Sequence, residues 1–210
     1  MATAEAIVRE LSEHFGIGAV DWPMRYVGRV NGGKLLIVSS GRCAWDDVEK
    51  AGGVPSPESG IHVMTVNDMT MHWPGPLWYA YSNDRRMLPN WIAARRPAYK
   101  RDQHRAIEAH TLRFGAVDGH WPFPGHGTSS LNACYVGIGM GYDDITLCGA
   151  PLDDSGHYFD PPWVSTNFTR EVPPHSAHPD EPKWWREARR LFRGRVRAMS
   201  GRSAEVLGGA

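Results

Sequence analysis

Hydrophobic positions along this chain follow two spacings in turn, and each switch between them marks a change of element. Residues 4–14 put Ile7, Val8 and Leu11 on one stripe of a helix. After a turn at Asn31-Gly32-Gly33, the run Lys34 to Ser39 is apolar almost throughout, the mark of a strand covered on both faces. It breaks at Ser39-Ser40-Gly41-Arg42, and Ala44 to Lys50 predicts a helix. The Pro/Gly/Ser loop Gly52 to Gly60 leads to a second apolar strand, Ile61 to Val66, which ends in Asn67-Asp68. A third, Leu77 to Tyr81, ends in Ser82-Asn83-Asp84, with Asp84 placed to cap a helix over Met87 to Arg96.

Lys100 to Arg105 is charged and reads as exposed, Arg105 to Val117 as a strand or hairpin, and Asp118 to Gly127 as a loop. A Gly/Ser/Thr stretch then opens a small-residue apolar helix. It turns at Gly141 to Asp144 into a short strand, Ile145 to Cys148, and a polar loop, Gly149 to Phe159. Residues 160–182 form a long proline-rich loop whose length points to a lid over a site. Glu181 to Phe192 is amphipathic, with Trp184, Ala188, Leu191 and Phe192 on one side and Arg186, Glu187, Arg189 and Arg190 on the other. Gly194 ends it, Arg195 to Met199 predicts a last strand and Ser203 to Leu207 a final turn of helix. Strands alternate with helices and no segment repeats. The pattern predicts one α/β domain over residues 1–210, with its core at about 34–200. The expected fold is a Rossmann-like, doubly wound, mainly parallel sheet with helices on both faces.

Composition narrows the function. Lys plus Arg and Asp plus Glu are 23 each, which argues against a strongly basic nucleic-acid face but not against a local patch. Cys43, Cys134 and Cys148 are odd in number and lack CxxC spacing, so a reduced, intracellular protein is expected. The charged N-terminal helix is no signal peptide and no apolar run is long enough to cross a membrane, which predicts a soluble cytoplasmic protein. Nine tryptophans are expected mostly to cover irregular loops, with one or two free to stack on a sugar or base.

Candidate chemistry gathers where strands give way to loops. A Gly/Ser/Thr loop that opens a helix suits an anion, because the first helical N–H groups have no intrahelical partner and carry the positive end of the dipole. Gly127, Thr128, Ser129 and Ser130 supply that loop, with Thr128 or Ser129 as N-cap. Ser39, Ser40, Gly41 and Arg42 after the first strand, and Gly149 after the strand ending at Cys148, fall at the same carboxyl edge. The glycines do not spell GxGxxG. Asn67 and Asp68 are open to either a ligand contact or a turn or cap role. No histidine pair forms HExxH, so no metal site is predicted. GxSxG is missing, and no lysine lies between Lys100 and Lys183 to serve a Walker loop. His157 sits just past the carboxylates Asp153 and Asp154, which suits acid–base work, and His175 or His178 could swing in with the lid.

The stretch GTSSLNACYVGIGMGYDDITLCGAPLDDSGHYFDPP resembles the small sialyl motif of sialyltransferases followed by their His-Tyr-Tyr motif. KLLIVSSGRCAWDD, with VND thirty-odd residues on, is similar to the first nucleotide-binding strand and loop of the same enzymes. It is also similar to the prokaryotic group of Maf-type flagellin glycosyltransferases and archaeal pterin diphosphokinases. The likeness spans Lys34 to Phe159. It implies that Ser39 to Arg42, Asn67, Asp68 and Thr128 to Ser130 hold a nucleotide or its phosphate, and that His157 is the histidine of the triplet. The family's general base is a further histidine in an H-x4-E setting. Here His175 is followed at that spacing by Asp180, so the base stays open among His157, His175 and His178. Phe159 replaces the second tyrosine, and the shorter chain implies a compact bacterial or bacteriophage member.

The resulting expectation is a metal-independent transferase that moves a sugar from a nucleotide-sugar donor to an acceptor hydroxyl, without a cofactor. One rival is a Mg²⁺-dependent diphosphokinase-like enzyme acting on a small hydroxymethyl compound, with Asp68, Asp84, Asp153 and Asp154 as ligands. Another is a non-catalytic nucleotide-binding protein.

Overall fold

The computed structural model describes residues 3–18, 21–100, 103, 105–112, 117–153, 155–160 and 181–209, without the side chains of residues 181 and 182. Asp154, His175, His178 and nearly all of the expected lid lie outside the described residues.

The apolar runs build a seven-stranded sheet in which every pairing is parallel: β1 (Lys34–Val38), β2 (Ile61–Val66), β3 (Tyr79–Tyr81), β4 (Glu108–Thr111), β5 (Gly119–His120), β6 (Asp144–Cys148) and β7 (Val196–Ala198). Their order is β5-β4-β3-β2-β1-β6-β7. The chain steps outward from β1 to β5, then returns to lay β6 on the other flank of β1. The crevice between β1 and β6 is therefore the switch point, where open parallel sheets bind ligands beyond their carboxyl ends.

Eight helices surround the sheet among the described residues: α1 (Ala4–Phe15), α2 (Ala44–Lys50), α3 (Met69–His72), α4 (Leu88–Ala93), α5 (Pro97–Lys100), α6 (Ser129–Met140), α7 (Glu181–Phe192) and α8 (Gly201–Leu207). Alternation along the strands divides the core. Leu35, Ile37, Met64, Val66, Ile145 and Leu147 pack in one cluster with residues of α1, α6, α7 and α8. Leu36, Val38, Val63 and Cys148 pack in another with α2 and α3. Each fully buried Val, Leu or Ile contributes about 1.5–3 kcal/mol. Helix α6 is buried from Ser130 to Met140, so it is apolar all round rather than striped. Its glycines permit this: a Cβ on Gly137 would lie 2.8 Å from a Leu35 methyl, and one on Gly139 2.3 Å from the Trp121 ring.

Several expectations change. Of the strand or hairpin expected over 105–117, the described residues show a strand, β4, and it is followed by a two-residue strand inside the expected loop, with His110 opposite Gly119 and Thr111 opposite His120. A side chain at Gly119 would strike His110, 2.3 Å away, which only glycine avoids. Asp84 accepts from the Arg86 N–H in a turn, while the N-cap position of α4 is Met87. On α7 the fully buried tryptophan is Trp185, and Trp184 is left partly exposed.

At the amino end of the sheet a closed polar network forms. Arg29 binds Glu108 through both guanidinium nitrogens (3.1 and 2.9 Å) and donates to the Tyr79 hydroxyl (3.3 Å). The Tyr79 and Tyr142 hydroxyls meet at 2.9 Å, and Tyr142 also reaches His62 Nδ1. Buried His110 accepts from Trp121 Nε1 at 3.4 Å.

Candidate functional site

Beyond the carboxyl ends of β1, β2, β3 and β6 lies an open cleft of about 710 Å³, within the range of small-molecule sites. Its walls are the loops that follow those strands, together with the start of α6. Of the residues expected at a site, Ser39, Ser40, Gly41, Asn67, Asp68, Gly127, Thr128, Ser129, Ser130, Gly149 and His157 all line it.

The two expected phosphate loops differ once their amides are followed. In the β1 loop, the N–H groups of Ser39, Gly41 and Arg42 donate to the carbonyls of Cys148, Gly149 and Gly156, each at 2.9 Å. That loop is laced to the β6 loop and keeps little for a ligand. Arg42 does not line the cleft; its guanidinium donates to the Ser155 carbonyl at 2.7 Å and the Asp160 carbonyl at 3.1 Å. At α6, Thr128 caps the helix by accepting from the Leu131 N–H at 3.3 Å. The Ser129 and Ser130 N–H groups then have no acceptor among the described residues, and they face the positive end of a twelve-residue helix. The Ser39 and Ser130 hydroxyls bond each other at 2.7 Å and are buried, so they fasten this helix start to the end of β1.

Gly149 serves by having no side chain. Its φ is +71°, and a Cβ there would sit 2.2 Å from the Ser39 carbonyl oxygen. Its N–H donates to the buried Asp47 at 2.9 Å, and the same carboxylate oxygen takes the Ser200 hydroxyl at 2.8 Å. Burial pushes the neighbouring Cys43 thiol up to about 12, so it remains protonated at neutral pH. Asn67 occupies a left-handed conformation (φ 55°) and accepts from the Ser82 hydroxyl at 2.8 Å. Asp68 stands at the N-cap position of α3 but makes no capping bond, and its Oδ1 is buried without a partner among the described residues.

His157 comes to the cleft because Gly41 and His157 form an isolated antiparallel bridge and the Tyr158 N–H donates to the Ser40 carbonyl at 3.0 Å. The carboxylate that holds it is Asp160, not Asp153. Asp160 Oδ2 accepts the His157 backbone N–H at 2.8 Å and approaches Nδ1 at 3.3 Å. Asp153 instead accepts from the N–H and hydroxyl of Ser155. The imidazole stacks on Phe159 (5.0 Å between centroids), whose ring also stacks against His72 (5.4 Å). With Nδ1 engaged, Nε2 is the nitrogen left for proton transfer. Burial, with the charge of Asp68 adding to it, pushes the Tyr158 hydroxyl up to about 12.

Sequence reasoning passed over Trp91, His126 and Trp184, which also line the cleft, and His126 stacks on Trp184 (5.8 Å). The lining contains Asp68, Asp84 and Asp153 but no lysine or arginine among the described residues. No three His, Cys, Asp or Glu side chains converge to hold a metal among them either. No described helix is long and apolar enough to cross a membrane.

The sequence matches no protein-family profile and no curated protein. Among solved structures the fold is similar to that of the sialyltransferase CstII from Campylobacter jejuni in complex with cytidine-5'-monophosphate. The two share 13% identity over 85% of each chain, with a TM-score of 0.54. A structure of a variant of that sialyltransferase in complex with CMP matches at 12% identity over 85% of this chain and 86% of the other, TM-score 0.52. The chain thus has a Rossmann-like α/β fold similar to that of these structures.

Proposed function

We propose that this chain is a glycosyltransferase that takes its sugar from a nucleotide-sugar donor. The observation that carries this reading is the meeting, in one cleft at the switch point, of open amides at the start of α6 and a carboxylate-oriented histidine. The donor phosphate sits on the Ser129 and Ser130 N–H groups. His157 takes the proton of the acceptor hydroxyl as its oxygen bonds to the anomeric carbon. The glycosidic bond breaks, and its electron pair leaves on the phosphate oxygen of the nucleotide. Charge growing on that oxygen is stabilised by fixed N–H donors, and one such donor contributes about 10²–10³ in rate. The solved structures of similar fold hold CMP or a CMP-sugar analogue, which supports a nucleotide in this cleft. The chemistry needs no metal.

A thermal-shift screen over CMP-, UDP-, GDP- and ADP-sugars tests the reading, because a ligand at 100 times its Kd adds ~2.7 kcal/mol to stability. Sugar transfer or slow donor hydrolysis in EDTA is the expected result. The presence of Asp68, Asp84 and Asp153 in the cleft favours, as a second reading, Mg²⁺-dependent diphosphate transfer to a hydroxymethyl compound. Turnover with ATP that is abolished by EDTA would establish that reading instead.

A further inference from the structure

The chain's balanced charge conceals a local imbalance. Residues 183–202 carry eight of its lysines and arginines against one glutamate, Glu187. Three of these arginines are engaged: Arg193 and Arg195 with Glu10, and Arg197 with Asp144. Lys183, Arg186, Arg189 and Arg190 are exposed and have no ion pair among the described residues. The core side of α7 (Trp185, Ala188, Leu191, Phe192) is buried, so these four share the solvent face of one helix. Arg186 and Arg190 are one helical turn apart, about 6 Å along the axis. The same helix supplies Trp184 to the cleft.

We infer that α7 carries a nucleic-acid strand whose phosphates rest on Lys183, Arg186, Arg189 and Arg190 while one base turns into the cleft. This deepens the glycosyltransferase reading and rests on it, since a hydroxymethyl group on that base would then supply the acceptor hydroxyl. Three of the four cations are arginines, whose planar fork binds phosphate in bidentate fashion. Inside the cleft the chemistry reverses. Trp91 and the His126–Trp184 pair offer ring faces for a base, and the lining has no lysine or arginine among the described residues to hold the strand's phosphates. A neutral base is admitted and its charged backbone is held outside, as in enzymes that act on an unstacked base. An anionic membrane fits less well, because the apolar residues of α7 are committed to the core and leave little to enter a bilayer.

The test measures binding of a short labelled single-stranded DNA oligonucleotide by anisotropy across a salt series. Three proteins are compared: the wild type, R186A/R190A, and the charge-matched control K34A/K50A. The slope of log K against log salt should lose about 0.7 for each phosphate contact removed. R186A/R190A should therefore bind on the order of tenfold more weakly at about 0.1 M salt, and the control should be unchanged. An unchanged slope in R186A/R190A, an equal loss in the control, or preference for phosphatidylserine vesicles over the oligonucleotide overturns the inference. Thermal shifts with CMP run alongside and should be equal in all three proteins. If neither CMP nor any of the CMP-, UDP-, GDP- and ADP-sugars gives a shift while the oligonucleotide binds through α7, the donor reading falls and the arginine surface stands.

Discussion

The two ends of the sheet are both rich in polar and titratable side chains, yet only the carboxyl end opens on a cleft of about 710 Å³. At the amino end Arg29, Glu108, Tyr79, Tyr142 and His62 bond one another in a continuous network. At the carboxyl end the Ser129 and Ser130 amides have no acceptor among the described residues, and both residues line an open cleft. Buried polar groups that satisfy one another rigidify a fold; groups left unsatisfied at an open surface wait for a ligand. Clustering of polar residues is common to both ends, so openness and unpaired donors make the difference. Substitutions at the two ends should therefore separate: the amino end should change stability, the carboxyl end turnover.

His157→Ala carries the largest effect expected at the cleft. Removing a general base costs about 10²–10⁴ in kcat, while the Tm should hold because the side chain is partly exposed. Asp160→Asn should lower kcat less, since it loosens the hold on Nδ1 without removing the imidazole. If His157→Ala transfers sugar at the wild-type rate, the base is another group and the carboxyl end has been misassigned.

Gly149→Ala blurs the comparison on purpose, because it strikes scaffold and site together. The new Cβ would fall 2.2 Å from the Ser39 carbonyl oxygen at a positive φ, and neither backbone strand can retreat without breaking the β1–β6 lacing. A loss of about 3 kcal/mol is expected, read from denaturant midpoints, together with loss of nucleotide binding.

Much of this was legible in the residues. Apolar runs gave β1 and β2 because strands covered on both faces have little polar side to confuse the pattern, and β6 showed as a short strand after the turn at Gly141 to Asp144. Thr128 was legible as a cap because capping is local. The details that were not legible are tertiary. Nothing in the β1 loop announces that its amides serve the β6 loop, since those bonds join residues more than a hundred positions apart. The partner of His157 was sought among the preceding aspartates; a turn that closes from the Asp160 N–H to the His157 carbonyl brings the following one instead. An i, i+3 acid after a histidine is the signal that could have found it. Trp184 and Trp185 are adjacent, and a shift of one residue in helical phase decides which enters the core.

Glu108→Gln tests the amino end. Burial raises the Glu108 carboxyl, but the nearby His110 ring (3.8 Å) and the two bonds from Arg29 outweigh burial and hold it at about 2. Burial drives His110 towards its neutral form, so Arg29 is the partner that counts at neutral pH. The carboxylate's contribution is complete above its unfolded value of 4.5 and is lost as pH falls towards 2. It should amount to on the order of 2 kcal/mol after discounting for solvent at Arg29. His62 and His110 are also lowered, chiefly by burial, so they add stability above about 6.5 that is lost below it. Melting curves from pH 7 down to 3 should fall in two stages. Glu108→Gln should remove only the lower stage and leave kcat at pH 7 intact. A variant that loses turnover without losing stability would abolish the distinction between the two ends.

The smallest effect discriminates most finely, because Thr128 belongs to both fold and site. Thr128→Ala removes the bond to the Leu131 N–H and should cost about 1 kcal/mol of stability. Left uncapped, the first turn of α6 frays, and the Ser129 and Ser130 amides lose the alignment that a phosphate requires. Nucleotide affinity should then fall by more than the stability loss explains, and Thr128→Ser, which restores the hydroxyl, should recover both. If Thr128→Ala loses stability but binds CMP as the wild type does, the helix start is ordinary scaffold, and the carboxyl end is no more a phosphate site than the network at the other end of the sheet.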